Sequence, residues 1–216
     1  MTEYDTIVFD NDGVLVELTG TDVLRQAARD AFADVGVERP REPLVDHAVD
    51  GNLDGLGAVE RDHGVEVAEY WAAREQRAIE HQRRAIENGG KPLFDDVAAL
   101  RELPHRLGVA SNNQGPTVEF IVDHYGLGDV FETVHGREPT YDGALRRKPE
   151  PDYVDDALGA REALYVGDSP KDVTAAHRAG VDAAFLRRPH RGEAPLDREP
   201  AVRVGGLREL VDWLGG

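Results

Sequence analysis

The feature that most constrains this chain is a series of short apolar runs, each broken off by polar or turn-forming residues. Ile7-Val8-Phe9, preceded by Tyr4, is rich in β-formers and stops abruptly at Asp10-Asn11-Asp12-Gly13. Comparable runs lie at 107–110, 130–134, 163–166 and 183–186, with a weaker one at 201–204. Continuous apolar runs of this length fit strands buried on both faces. Helix-like stretches lie between them. Residues 95–103 space Val97, Leu100 and Leu103 near a helical period, and Thr117 opens a segment with Phe120, Ile121 and His124 that Gly126 closes. Residues 151–158, 172–179 (with Gly180 behind) and 207–214 are further helices. Alternation of this kind predicts an α/β fold, a parallel sheet with helices on both faces.

One region interrupts the alternation. No strand pattern occurs from about Leu18 to Asn88. Residues 21–35 place Val23, Leu24, Ala27, Ala28, Ala31 and Phe32 on one helical side, and residues 65–88 form a longer helix around Val67, Tyr70, Trp71 and Ile79. Between them, 43–60 is broken by glycines. Leu18-Thr19-Gly20 and Gly89-Gly90 are plausible hinges. The domain reading is therefore a core of 1–17 and 89–216, with an all-helical insertion at 18–88 after the first strand. Tyr70 and Trp71 read as packing residues of that insertion, and His47, His63 and His81 as solvated or packing residues.

Charge narrows the partners. Across 216 residues, 42 acidic side chains outnumber 25 basic ones for a net charge of −17, which argues against nucleic acid or an anionic membrane surface. No apolar run approaches the roughly 20 residues of a spanning helix. The acidic N-terminus lacks the pattern of a secretory signal, so the expected location is cytoplasmic. There are no cysteines, which excludes disulfides and thiolate chemistry. Lys91, Lys148 and Lys171 are the only lysines. An acidic, lysine-poor composition resembles that of halophilic proteins from salt-accumulating archaea, where molar salt screens self-repulsion within about 3 Å.

In an open α/β sheet, function gathers at the carboxyl ends of the strands. Here those positions carry Asp10 and Asp12 after the first run, Ser111 and Asn112 after the second, and Asp168, Ser169 and Asp172 after the fourth. Lys148 lies ahead of Pro149 and the helix that feeds the fourth run. Carboxylates gathered at one spot repel, and a hard divalent cation with oxygen ligands suits them. Simpler roles stay open residue by residue. Asp12-Gly13 suits a turn, Ser111 and Asn112 suit helix capping, Asp172 suits a helix N-cap, and Lys171 reads equally as a surface lysine.

Phe9-Asp10-Asn11-Asp12-Gly13-Val14-Leu15 resembles the first motif of the haloacid dehalogenase superfamily. Ala110-Ser111-Asn112 resembles its second motif, Lys148-Pro149 the third, and Gly167-Asp168-Ser169-Pro170-Lys171-Asp172 the fourth. All four occur in order, each at a strand end, and the likeness covers nearly the whole chain. It implies a Rossmann-like core with a small helical cap, in a phosphatase branch similar to phosphoglycolate phosphatases. By that resemblance, Asp10 is a phosphoryl-accepting nucleophile and Asp12 a general acid and base. Ser111 and Lys148 complete the catalytic set and hold phosphoryl oxygens. Asn11, through its backbone N–H, and Asn112 join them in binding substrate. Mg²⁺ is the implied cofactor, on Asp10, the Asp12 carbonyl, Asp168 and, through water, Asp172. The implied partner is a small phosphorylated metabolite.

The resemblance also sorts alternatives. Dehalogenases of the superfamily lack the second aspartate, which is present here as Asp12. Its phosphonate hydrolases use a cap lysine, and no lysine occurs between Thr19 and Gly90. A sugar phosphomutase uses the same four motifs and stays open, with Val14 replacing the commoner threonine. A non-catalytic phosphate-binding regulatory module is the remaining alternative. Val16-Glu17-Leu18 departs from the usual continuation of the first motif, and Asn11 replaces an apolar residue there, so the substrate is not carried over from relatives.

Overall fold

The computed structural model describes residues 4–158, 162–191 and 195–215. Strand β1 (Thr6–Phe9) is followed by four helices, α1 (Thr21–Asp34), α2 (Glu42–Asp50), α3 (Leu53–His63) and α4 (Val67–Glu87). A 3-10 helix, Asp95–Glu102, leads to β2 (Arg106–Gln114), α5 (Gly115–His124) and β3 (Thr133–Arg137). The short helices α6 (Tyr141–Leu145) and α7 (Asp152–Ala157) precede β4 (Ala163–Gly167) and α8 (Pro170–Arg178). Strand β5 (Asp182–Leu186), a 3-10 turn Pro189–Arg191, β6 (Val202–Val204) and α9 (Leu207–Gly215) complete the chain.

Two compact units result. The first comprises Met1–Leu18, Pro92–Arg137 and Arg146–Gly216; the second comprises Thr19–Lys91 and Glu138–Leu145. In the first, the six strands form one sheet in the order β3-β2-β1-β4-β5-β6, and every adjacent pair is parallel. The expected α/β sheet is what forms, and the burial pattern explains it. Ile7, Phe9, Leu164, Val166, Ala184 and Leu186 enter one core with α5, α9 and the 3-10 helix Asp95–Glu102. Their alternates Val8, Ala163, Tyr165, Ala183 and Phe185 enter another with α7 and α8. Strands buried on both faces need apolar residues at every position, which the short runs supply. The strand order reverses beside β1, the crevice where such sheets bind ligands.

The second unit packs Ala28, Ala31, Phe32, Leu44, Leu56, Tyr70 and Trp71 into its own core, with Phe32 and Tyr70 stacked at 4.0 Å. It also takes in α6, a short helix that the pattern analysis misses. Trp71 Nε1 donates to the Thr140 carbonyl at 3.2 Å, so this later stretch packs with α4. Residues 43–60 resolve into two helices separated at Gly51, whose φ of 66° is the left-handed value that ends α2. Among the described residues, no helix is long and apolar enough to cross a membrane.

Candidate active site

The site starts at the tip of β1. Asp10 N donates to the Val166 carbonyl at 2.9 Å, which carries the β1–β4 ladder one residue further. The backbone then turns, and the Asn11 carbonyl accepts from the N–H groups of Val14, Leu15 and Val16. Gly13 has φ of 84°, and a Cβ there would meet Asp168 Oδ2 at 2.2 Å, so only glycine lets the turn pass so near that carboxylate. Asn11 N donates to Asp10 Oδ1 at 2.8 Å, fixing the Asp10 carboxyl through its own chain neighbour.

Lys148, 1% exposed, lies 2.9 Å from Asp10 Oδ1 and 2.7 Å from Asp172 Oδ1. Burial by itself would depress the ammonium. The Asp10 and Asp172 carboxylates outweigh it and hold Lys148 well above the ordinary lysine range. The same ammonium donates to Tyr165 Oη at 2.7 Å, and that hydroxyl donates to the Ala110 carbonyl at 2.6 Å. Asn112 secures the lysine from behind. Its Oδ1 accepts from Lys148 N at 2.7 Å, while its Nδ2 donates to the Lys148 carbonyl at 3.1 Å.

Asp168 follows directly on β4, and Asp172 lies in the first turn of α8. Asp172 Oδ2 accepts from Ser169 N at 2.9 Å and Ser169 Oγ at 2.6 Å, tying the first turn of α8 to its N-cap. A Cβ at position 167 would lie 2.2 Å from the Asp172 Cβ, so Gly167 is what lets α8 begin so close to the strand. Asp168 is fully buried. Its Oδ2 lies 2.6 Å from His190 Nε2 and accepts from Arg191 Nε at 2.7 Å.

Asp10, Asp168 and Asp172 each bring a carboxylate oxygen within 4.8 Å of the others, and all three are buried. The Asp10 carboxyl is raised to about 7, because burial, Asp172 and Asp168 push it up by more than Lys148 pulls it down. A divalent cation among the three would favour the ionised forms, and an all-oxygen donor set suits Mg²⁺. The residues present fit that ion. The Asp12 carboxylate lies outside the trio among the described residues. Its Oδ2 instead accepts from Asn11 Nδ2 at 3.1 Å and Asn113 Nδ2 at 2.9 Å.

A cavity of about 350 Å³ opens over these groups, lined by Asp10, Asp12, Ser111, Asn112, Asn113, Lys148, Ser169, Pro170, Lys171, Asp172 and Arg191. Of the residues singled out from sequence, Asp10, Asp12, Ser111, Asn112, Lys148 and Asp172 thus share one wall or floor. Asn11 meets Asp10 through its N–H, and Asp168 lies behind the cavity in the buried trio. Ser111 Oγ accepts from Asn113 N at 3.2 Å. Four participants are not singled out by sequence: Asn113, Tyr165, His190 and Arg191. Tyr165 leaves a trace, as the one polar-tipped residue within the apolar run 163–166. His190 and Arg191 follow no periodic pattern that would bring them back to Asp168.

The open parallel sheet thus brings a buried lysine and a carboxylate cluster to its switch point, where α/β folds of this kind bind ligands. A family model of haloacid dehalogenase-like hydrolases matches residues 4–180, and the chain belongs to that family. Phosphoglycolate phosphatase of Yersinia pseudotuberculosis is 29% identical over 228 aligned positions, covering 97% of this chain and 92% of that protein. A 5'-nucleotidase of Pseudomonas aeruginosa is 27% identical, covering 82% of this chain and 80% of its own. CbbY from Rhodobacter sphaeroides, solved in complex with phosphate, shares the fold with a TM-score of 0.68 at 21% identity, covering 96% of both chains. The chain is a haloacid dehalogenase-like hydrolase, similar over nearly its whole length to a phosphoglycolate phosphatase.

Proposed function

We propose that this chain is a magnesium-dependent phosphatase that hydrolyses a small-molecule phosphate monoester through an aspartyl-phosphate on Asp10. The observation that carries the reading is the buried contact of Lys148 with both Asp10 and Asp172, in a carboxylate trio beneath a cavity of metabolite size. An Asp10 carboxylate oxygen attacks phosphorus, and the bond from phosphorus to the ester oxygen breaks. Asp12 gives its proton to the departing alkoxide, which leaves as the alcohol. Water then attacks the phosphoryl group, Asp12 takes a proton from it, and inorganic phosphate departs with the Asp10 carboxylate restored.

Asn11 N–H and Lys148 hold Asp10 Oδ1, so the carboxyl plane is set before substrate arrives. Ser111 and Lys148 bind phosphoryl oxygens, and Asn112 acts chiefly by holding the Lys148 backbone. Asp10, Asp168 and Asp172, together with Asp12, would hold Mg²⁺, which would supply charge neutralisation at the phosphoryl oxygens. The helical unit is read as the cap domain inserted after β1. Phosphate release from a panel of esters, with Mg²⁺ in high KCl, tests the assignment in the parent and in Asp10→Asn. Release by the parent that is lost in the variant supports it. Equal release by both removes Asp10 from the chemistry.

A further inference from the structure

Asp12 is held at its side chain as well as along its backbone. The Gly13 N–H donates to the Val16 carbonyl at 2.7 Å, so the turn fixes where the Asp12 side chain starts. What remains is rotation about the side-chain bonds, and the amides of Asn11 and Asn113 restrain it. Asn11 Nδ2 donates to Asp12 Oδ2 at 3.1 Å, and Asn113 Nδ2 donates to the same oxygen at 2.9 Å. The Asn113 amide is itself oriented. Its Oδ1 accepts from Gln114 N at 2.9 Å, which turns the NH₂ group towards Asp12. The Asn11 amide shows what the arrangement costs. Asn11 is 0% exposed, and its Oδ1 is buried with no hydrogen-bond partner among the described residues. An unpaired buried carbonyl oxygen destabilises the fold, and a leucine of the same branching would avoid that loss. Among the described residues, the one side-chain hydrogen bond set against it is the bond to Asp12.

Oδ2 accepts from both amides and is thereby committed, so the proton that Asp12 exchanges is carried on Oδ1. We propose that Asn11 and Asn113 are positioning residues that aim the Asp12 carboxyl, on the cavity wall, at the ester oxygen of the substrate. The inference rests on the phosphatase reading and deepens it, because it says how the acid of that reaction is held. As the phosphorus–oxygen bond breaks, its electron pair stays on the departing oxygen. That oxygen takes the proton from Asp12 Oδ1, and Asp12 is left as the carboxylate with Oδ2 still on the amides. Aim matters most where the leaving oxygen is most basic. An alkoxide or a plain phenoxide needs a proton as it leaves, whereas a nitrophenoxide departs as the anion. Loss of either amide therefore sorts esters by their leaving group rather than by their shape.

The test uses para-substituted phenyl phosphates, alike in shape and graded in the acidity of the leaving phenol. Values of kcat/KM, which report the steps up to release of the phenol, are measured with Mg²⁺ for the parent, Asn113→Ala, Asn11→Leu and Asp12→Asn. In the parent, phenyl and 4-nitrophenyl phosphate should differ little. In Asn113→Ala and in Asn11→Leu the ratio of phenyl to 4-nitrophenyl should fall about tenfold or more, and in Asp12→Asn further still. Adding Asn113→Ala to Asp12→Asn should leave the ratio where Asp12→Asn put it, since the amide acts through Asp12. Asn11→Leu should melt no lower than the parent, an outcome that a purely structural asparagine would not give. A ratio unchanged in both amide variants overturns the proposal. So does a loss shared equally along the series, the mark of a general disturbance of the site. Nuclear magnetic resonance reads the contact without turnover: an amide side-chain proton of Asn11 and one of Asn113 should move upfield in Asp12→Ala. Signals that stay in place overturn the proposal as well. If the parent releases phosphate from no ester, the phosphatase reading fails, and the amide protons alone decide whether Asp12 is held.

Discussion

Two of the three lysines are buried almost completely, and they are put to different use. Lys148, in the sheet unit, faces two carboxylates at 2.9 and 2.7 Å beneath an open cavity. Lys91, in the helical unit, is 0% exposed and donates to Thr19 Oγ1 at 2.7 Å and to Gln82 Oε1 at 3.4 Å. Thr19 Oγ1 in turn donates to Gln82 Oε1 at 2.8 Å, so Lys91 and Thr19, the ends of the main segment of that unit, meet on α4. Burying an ammonium is costly in either place. In the proposed function Lys148 sets up charge for chemistry, whereas Lys91 ties Thr19 to Gln82 on α4. A buried lysine is thus no marker of catalysis by itself, and its partners decide.

The contrast can be broken by substitution. The largest effect is expected at Asp10, where Asn should cut phosphate release by roughly 10³-fold or more, since attack on phosphorus needs the carboxylate. Lys148→Met comes next, with turnover down roughly 10²-fold or more. Its stability should fall by about 3–5 kcal/mol in chemical denaturation, because two buried carboxylates lose their counter-charge. Lys91→Met should cost about 1–3 kcal/mol in the same assay while turnover stays of the parent's order. A Lys91 variant as inactive as the Lys148 one would erase the distinction.

A smaller effect concerns pH. Asp10 has a carboxyl raised from 3.8 to about 7, so without divalent metal its proton is held more tightly in the folded than in the unfolded chain. Its contribution to stability is therefore lost as pH rises through that window. Asp10→Asn should melt progressively higher relative to the parent from about pH 4 to about pH 7, a gap that Mg²⁺ narrows. The smallest effect is salt. The melting temperature of the parent should rise in molar KCl as surface carboxylates are screened, and an indifferent one would set aside the halophilic reading of the composition.

The sheet was legible because strands buried on both faces write themselves as unbroken apolar runs, and β1, β4 and β5 lie on or next to theirs. The site residues at the strand tips were legible because polar residues ending apolar runs stand out. Other elements were hidden for physical reasons. β2 continues through Asn112, Asn113 and Gln114, polar residues that read as loop, with a register shift between Ser111 and Gln114. β3 starts three residues after its apolar run begins, since Phe131 is buried in the core ahead of the strand. α6 spans five residues around Gly143, too short for a period to show. Residues 95–103 keep helical spacing yet wind as a 3-10 helix. His190 and Arg191 reach Asp168 across more than twenty residues from a turn after β5, a contact that only folding creates.

Whether Asp10 carries the phosphoryl group is the central claim, and acid-quenched turnover followed by peptide mass spectrometry tests it most directly. With substrate and Mg²⁺ present, the peptide containing Asp10 should gain the mass of one phosphoryl group, and the same peptide from Asp10→Asn should not. Phosphate release with no phosphoryl group found on that peptide would contradict the account.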